Sequence, residues 1–359
     1  MMMRLHLNEN TGGCSPAVLE ALRRIDPVDV SIYPDYRSVT AACERWFDVP
    51  AGWVQLTNGL DEGLYVAAQA VARGGQTSQT GVRPGSDQGQ TRVRPESDQG
   101  QTPSVLIVEP AFEEYAICAA AAGLNVSRVL WDPRAAFPTD ALLATLAPDT
   151  RLIFLTDPNN PTGLAIPDGV VEQIAAAAPD ALVLLDEAYA EFSGRTLIGP
   201  ALDRHRNLLV GRTFAKAHGL AALRIGAVIG NPDTLAPLRQ TLPPFSINIC
   251  AVRGLEAALG DRAHLDAYVR QSQESRRLIY AMCARRNLRF WHSEANFVLV
   301  EVGPDAAAIV AAVAARGILI KDRSHQPGCA GCLRITAGVV SHTELCLAAL
   351  EDALASRTR

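Results

Sequence analysis

What this sequence lacks narrows its function before any motif is considered. No apolar run is long enough to span a bilayer, and the opening Met1-Met2-Met3-Arg4-Leu5-His6 lacks the apolar core of a signal peptide. The cytoplasm is therefore the expected compartment, with no membrane partner. Basic charge is in deficit. The formal net charge is −5 and no long basic run occurs, so the electrostatic footprint of a nucleic-acid partner is missing. Metal-ligand spacing is nearly absent too. Cys329-Ala330-Gly331-Cys332 is the one CxxC, with no second pair and no histidine cluster, which argues against zinc, so no metal is expected. The eight cysteines are scattered through apolar segments and should stay thiols in a reducing compartment, with Cys332 reading as a buried small hydrophobe.

What is present is the composition of a globular enzyme: 48% hydrophobic and 20% charged residues over 359 positions, a length that favours two domains over one. Continuously apolar runs at Val105–Glu109, Arg151–Leu155, Leu182–Asp186, Asn207–Gly211 and Ile225–Gly230 fit strands of a parallel sheet covered on both faces. Helical periodicity alternates with them at Asp61–Ala72, Glu113–Ala122, Gly169–Ala177 and Asp233–Gln240. This predicts a doubly wound α/β domain. After Pro244 the character changes: a long helical pattern (Ala251–Arg286), a strand at Asn296–Val302, a helix at Asp305–Arg316, two short strands and a terminal helix. That order reads as a smaller α+β domain. The expected division is 29–245 for the large domain, and 1–28 with 246–359 for the small one.

One segment breaks the alternation. Gly81–Thr91 and Arg92–Thr102 repeat the same eleven residues with changes only at the first and fifth. They are rich in Gly, Pro, Ser and Gln and nearly devoid of apolar side chains, so they cannot bury enough surface to offset the entropy of ordering. Removing Gln76–Thr102 would leave an ordinary short connection. The segment reads as an insertion tolerated on an exposed loop; a binding or regulatory element is the alternative.

The chemistry-bearing residues cluster behind the strands. In Arg212-Thr213-Phe214-Ala215-Lys216, a lysine follows an apolar strand, with a hydroxyl three residues before it and Arg224 eight residues after. A desolvated lysine is nucleophilic and can form a Schiff base with an aldehyde cofactor, while Thr213 and the planar fork of Arg224 suit that cofactor's phosphate. Asp186 ends the run Leu182–Leu185, where open α/β sheets place ligands, and there it could pair with the protonated pyridine nitrogen of pyridoxal phosphate. Tyr189 is close enough to reach the ring's phenolic oxygen; a helix N-cap is the rival role for Asp186. Asn160 lies in the rigid turn Thr156-Asp157-Pro158-Asn159-Asn160-Pro161-Thr162-Gly163 and could aim its amide at the same ligand, although a plain turn explains the prolines equally well. Thr57-Asn58-Gly59-Leu60-Asp61 opens a helix whose free N–H groups suit a phosphate. Arg334, inside the apolar Cys332-Leu333-Arg334-Ile335, needs a partner, either a substrate carboxylate or an internal salt bridge.

Strung in order, NGLDEG, EPAFEEY, DPNNPTG, LLDEAY, RTFAKAHGLAALRIG, ANFVLVEV and GCLRITAG resemble a fold type I pyridoxal-phosphate aminotransferase. The opening LHLNENTGGCSP, the SIYPD at Ser31–Asp35 and the ending KDRSHQPGCAGCLRITAG are similar to its histidinol-phosphate aminotransferase branch. The resemblance covers the chain except the repeat. It implies pyridoxal 5'-phosphate as cofactor, Lys216 as Schiff-base lysine and proton shuttle, and Asp186 on the pyridine nitrogen. It further implies Asn160 and Tyr189 at the ring hydroxyl, and Thr213, Arg224 and the Gly59, Leu60 and Asp61 backbone at the phosphate. Phe112 would stack on the ring, with Tyr115 a second candidate. Tyr33 would reach the neighbouring subunit's phosphate, which implies a homodimer. On the substrate side it implies Arg334, Asn10 and Lys321. The reaction implied is ping-pong transamination between L-histidinol phosphate and 2-oxoglutarate. Gly12, Phe245 and Lys321 depart from the branch's pattern, Lys321 replacing a bidentate arginine by a point charge. An aromatic or broad-range aminotransferase and a phosphothreonine decarboxylase are alternatives on the same fold. A cofactor-sensing regulator is a third, disfavoured because the chain has no room for a DNA-binding module.

Overall fold

The computed structural model describes residues 2–76 and 102–356. Much of the predicted repeat insert therefore lies outside the described residues. The strands in chain order are β1 (Met3–Arg4), β2 (Val54–Thr57), β3 (Ser104–Glu109), β4 (Asn125–Leu130), β5 (Thr150–Thr156), β6 (Leu182–Asp186) and β7 (Leu208–Thr213). There follow β8 (Gly226–Gly230), β9 (Arg289–Phe290), β10 (Phe297–Glu301), β11 (Ile318–Leu319), β12 (Lys321–Asp322) and β13 (Cys332–Thr336).

The seven-stranded sheet runs β2-β8-β7-β6-β5-β3-β4. Strands β3 to β7 are mutually parallel, and their side chains alternate between two buried clusters, one on each face: Leu106, Ile153, Val183, Leu185 and Val210 on one, Ile107, Phe154, Leu184 and Leu209 on the other. Burial on both faces is why these segments read as unbroken apolar runs. Strand order reverses between β3 and β5, which makes the carboxyl ends there the place where an open sheet leaves a crevice. The fold is thus the expected α/β type, a large, mostly parallel sheet joined to a smaller α+β assembly.

Two expectations need correction, and two strands of the large sheet lie outside them. The run at Ile225–Gly230 is a strand of the large sheet, but β8 is antiparallel to both β7 and β2. The chain between Thr213 and Gly226 contains only a single 3₁₀ turn (Ala221–Leu223), and a parallel return needs a full crossover. Strand β2 has only four residues, too short to show a pattern. Strand β4 lies on the sheet edge with Asn125, Ser127 and Arg128 in it, so it lacked the apolar signal. The long pattern Ala251–Arg286 divides at Gly260 into helices Ile249–Leu259 and Arg262–Arg285, the second capped by Asp261, whose side chain accepts from the His264 amide at 3.1 Å.

The smaller sheet is antiparallel, in the order β12-β13-β10-β9. Val298, Val300, Leu333 and Ile335 point to helices Arg262–Arg285, Ala306–Ala315 and Val340–Ala355 and share a core with Ile279, Met282, Ile309, Val313 and Leu350. The period of two then turns Phe297, Leu299, Arg334 and Thr336 to the other face. Cys329 and Cys332 are buried free thiols beside Trp291 and Leu299, and burial pushes them up to about 11 and about 12. The amino-terminal segment joins this sheet's side: β1 pairs with β11, and Leu5 is fully buried in the same core. Helix Pro16–Arg23, by contrast, lays Val18 on the large-sheet core together with Val252 and Leu255 of helix Ile249–Leu259.

Candidate active site

The carboxyl ends of β3, β5, β6 and β7 and the start of helix Gly59–Gln76 meet the polar face of the smaller sheet around one cavity of about 600 Å³. It is lined by Leu60, Asp61, Phe112, Thr156, Asn160, Asp186, Tyr189, Thr213, Lys216, Arg224, Lys321 and Arg334, among others. Side chains that lie far apart in sequence therefore converge, which is the condition for a site rather than a set of unrelated turns.

Asp186 is the last residue of β6 and only 5% exposed. Burial pushes its carboxyl up to about 6, against the opposing hydrogen bonds of Tyr115 and the Ala188 amide. The Tyr115 hydroxyl donates to Oδ2 at 2.7 Å, and the Ala188 N–H donates to Oδ1 at 2.9 Å. The capping alternative is not what the chain adopts, because the N-cap of the following helix is Tyr189. Lys216 donates to the Leu7 carbonyl at 3.1 Å. Burial first and the charge of Arg334 second bring its amine down to about 8, while Asp61 and Asp186 oppose the shift. An amine with that value holds a usable neutral fraction near pH 7.

The corner where the helix start, Arg224 and β8 meet is built by two glycines. A Cβ on Gly59 would lie 2.4 Å from Arg224 Nη2, and one on Gly226 would lie 2.6 Å from the Leu60 nitrogen. Their missing side chains let the helix start, the Arg224 guanidinium and β8 approach one another. Arg224 itself takes the left-handed conformation at φ 55°, which costs energy in a non-glycine residue, and is held by the Asp61 carboxylate. Thr213 Oγ1 accepts from the Ala215 amide at 3.2 Å. Arg212 lies between Glu187, at 3.3 Å, and Glu191, with each of the three side chains no more than 8% exposed. Because Glu187 follows Asp186 and Arg212 precedes Thr213, this ionic layer ties together the two strand ends that carry the site.

Arg334 is 3% exposed and has no carboxylate partner among the described residues. It donates to Asn160 Oδ1 and, at 2.8 Å, to the His6 carbonyl, and its guanidinium sits 5.1 Å from the Phe297 ring centroid. The internal salt bridge is thus not what satisfies it. Its Nε has no partner. A cavity with an amine, a buried carboxylate, a glycine-lined corner rich in donors and a buried guanidinium fits pyridoxal phosphate with an acidic substrate.

The remaining expectations divide. Phe112 lines the cavity. Tyr115 does not present a stacking face: it is buried against Phe154, and its hydroxyl serves Asp186 and, at 2.6 Å, Thr156. Tyr189 lines the cavity, and its hydroxyl accepts from Asn8 Nδ2 at 3.0 Å. Asn10 is outside the cavity wall; it donates to the Ala217 carbonyl at 2.9 Å and accepts from the Gly12 amide at 2.9 Å, because the chain turns at Asn10–Gly13. Asn8, two residues earlier, lines the cavity instead. Tyr33 is 76% exposed and stacks on Phe245 at 4.3 Å, away from this chain's own cavity. A compositional signal was available and was missed: the chain has only two lysines, Lys216 and Lys321, and both line the cavity.

Residues 97–350 match the family model described as aminotransferase class I and II. The chain is 34% identical to histidinol-phosphate aminotransferase 2 of Ralstonia nicotianae, over 99% of this chain and 89% of that protein. Among solved structures it superposes, with a TM-score of 0.79 and 24% identity, on histidinol-phosphate aminotransferase from Sinorhizobium meliloti in complex with pyridoxal-5'-phosphate, covering 99% of this chain and 91% of that one. A similar likeness, with a TM-score of 0.75 and 21% identity, holds for L-threonine-O-3-phosphate decarboxylase from Porphyromonas gingivalis over 98% and 99% of the two chains. At these identities the structural likenesses speak to the fold.

Proposed function

The chain belongs to the aminotransferase class I and II family, and on that premise we propose that it transfers the amino group of L-histidinol phosphate to 2-oxoglutarate, yielding imidazole-acetol phosphate and glutamate in histidine biosynthesis. It is a pyridoxal-phosphate-dependent transaminase; the substrate pair and the residue roles are the proposal. The observation that carries it is the meeting of Lys216, Asp186 and Arg334 around one cavity in a chain 34% identical to a histidinol-phosphate aminotransferase.

When bound, pyridoxal phosphate supplies an electron sink for the bond-breaking at the substrate's α-carbon. The protein does the rest. Asp186 holds a proton on the pyridine nitrogen, and the hydrogen bond from Tyr115 fixes the carboxylate for it. The Gly59, Leu60 and Asp61 backbone, Thr213 and Arg224 would hold the phosphate, Asn160 and Tyr189 would hold the ring hydroxyl, and Phe112 would pack on the ring. Lys216 would anchor the cofactor through Nζ and move the proton at the α-carbon, a task its lowered basicity suits. Arg334 receives the carboxylate of glutamate or the phosphate of the other substrate.

The working division is a cofactor-holding unit, 29–245, and a substrate-side unit, 1–28 with 246–359. The enzyme acts in the cytoplasm as a homodimer in which Tyr33 reaches the neighbouring phosphate; its exposure and its stacking on Phe245 support that role. A stopped-flow screen of the first half-reaction with histidinol phosphate, glutamate, phenylalanine, tyrosine and phosphothreonine tests the reading. Histidinol phosphate and glutamate should react fastest. A preference for the aromatic pair, or carbon dioxide released from phosphothreonine without consumption of a keto acid, would replace it.

A further inference from the structure

The geometry points to Arg323 as the specificity-determining residue that receives the second negative charge of a doubly negative substrate, beyond the charge that Arg334 meets. This deepens the proposed function and rests on it for the identity of the amino donor and acceptor.

The argument starts from register. Lys321 of β12 lies opposite Arg334 of β13, and the pairing continues past the strand, with the Arg323 N–H donating to the Cys332 carbonyl at 2.9 Å. Residues two apart on a strand share a face, so Lys321, Arg323 and Arg334 all project from one side of the smaller sheet. All three line the cavity.

Arg323 differs from Lys321 in what surrounds it. It is 5% exposed, and its Nε is buried with no partner. Leaving such a donor unmet is costly, so a buried orphan N–H at a cavity wall indicates a ligand atom that completes it. Its one carboxylate is Glu113, whose Oε1 accepts from Arg323 Nη1 at 2.9 Å. The same oxygen also takes His325 Nε2 at 3.0 Å and Gln326 Nε2 at 3.1 Å. A half-exposed carboxylate shared among three donors is a weak competitor for a buried guanidinium.

Charge points the same way. The cavity wall carries Arg4, Lys216, Arg224, Lys321, Arg323 and Arg334 against Glu9, Asp61, Glu113 and Asp186. Glu9 is held by Arg4 and Asp61 by Arg224, so neither neutralises the smaller-sheet wall. Two buried forks there share one counter-ion. A carboxylate matches Arg334 alone; a phosphate dianion, or a second carboxylate on the side chain, matches both forks.

The test compares substrates that differ in one charge: histidinol phosphate with histidine, and glutamate with glutamine, in single-turnover half-reactions of the holoenzyme. For Arg323→Gln, kcat/KM for at least one doubly negative substrate should fall roughly 30-fold or more, mainly through KM, as expected when a charge-assisted fork is lost. The loss for its singly charged counterpart should be at least about tenfold smaller, since that group leaves Arg323 untouched. Which pair responds distinguishes phosphate from side-chain carboxylate. Arg323→Lys should restore part of the discrimination, and Glu113→Gln should strengthen it by removing the competing negative charge. Calorimetric titration of the holoenzyme, wild type against Arg323→Gln, with inorganic phosphate and glutarate, against propionate, gives the same contrast without turnover. Equal losses for both members of both pairs, or no loss beyond threefold, overturn the assignment. Should wild-type protein ignore histidinol phosphate yet distinguish glutamate from glutamine through Arg323, the substrate proposed above fails and this inference stands.

Discussion

On the large-sheet side of the cavity, Asp186 has both carboxylate oxygens engaged, by Tyr115 and by the Ala188 amide, and Tyr115 is itself tied to Thr156. On the smaller-sheet side, Arg334 and Arg323 each keep a buried Nε without a partner. Among the side chains that line the cavity, the large-sheet wall is complete and the other is not; the unpartnered Arg212 Nε and Glu191 Oε2 lie behind the large-sheet wall, outside the cavity lining. A rigid, satisfied network suits a cofactor that stays through every cycle, because its groups must not reorganise at each turnover. Unmet donors suit substrates that come and go, because they reward arrival and differ in what they reject. Lys216 stands between the walls: its amine is reached by Asp186 from one and Arg334 from the other.

The largest effect should come from removing the residue both walls converge on. Lys216→Ala should lower turnover by about 10³-fold or more, the upper range of a lost proton-transfer group. Cofactor binding should persist, since Asp186 and the Gly59–Arg224 corner are untouched, with a shifted absorbance as the covalent link is lost. An unchanged spectrum or unchanged turnover would place the reacting amine elsewhere.

A smaller effect separates the two walls electrostatically. The neutral amine of Lys216 is the form that reacts, and its value of about 8 means that form grows as pH rises through 8. In cofactor-free protein, the rate of covalent capture of pyridoxal phosphate should therefore climb with a midpoint near 8 rather than above 10. Arg334→Gln removes a cation that disfavours the charged amine, so the midpoint should move up. It should stop short of the ordinary lysine value, because burial, the larger cause, remains. A midpoint that does not move would show that the smaller-sheet wall does not tune the lysine.

The completed wall was also the more legible one. Its residues follow unbroken apolar strands and sit in turns punctuated by proline and glycine, so Asp186, Asn160, Thr213 and Lys216 could be placed behind strands from the one-dimensional pattern alone. The incomplete wall depends on register. That Arg323 shares a face with Arg334 follows from a two-residue strand, β12, paired across β13, and nothing in the string KDRSHQPGCAGCLRITAG announces that pairing. Asn10 was expected at the cavity for a similar reason: the turn that carries it away is a matter of backbone geometry. Strand β4 escaped because an edge strand has one less neighbour to bury it.

The smallest expected effect belongs to neither wall. Helix Gly59–Gln76 begins at the phosphate corner and runs 18 residues, so its far end lies about 25 Å from that corner. Strand β3 likewise starts six residues, about 20 Å, before its carboxyl end reaches the cavity. The repeat between them is therefore attached at the amino end of β3, the end of the strand opposite the site. Its composition offers no apolar surface with which to contribute to either core. Deleting 77–101 should leave turnover within about twofold and the melting temperature within about 3 °C, because shortening a long polar connection changes loop entropy only slightly. The pH midpoint of Lys216 and the charge discrimination of Arg323 should both be retained. A tenfold loss of either would mean that the repeat reaches back to the cavity, and the contrast between a finished wall and an open one would then have to include it.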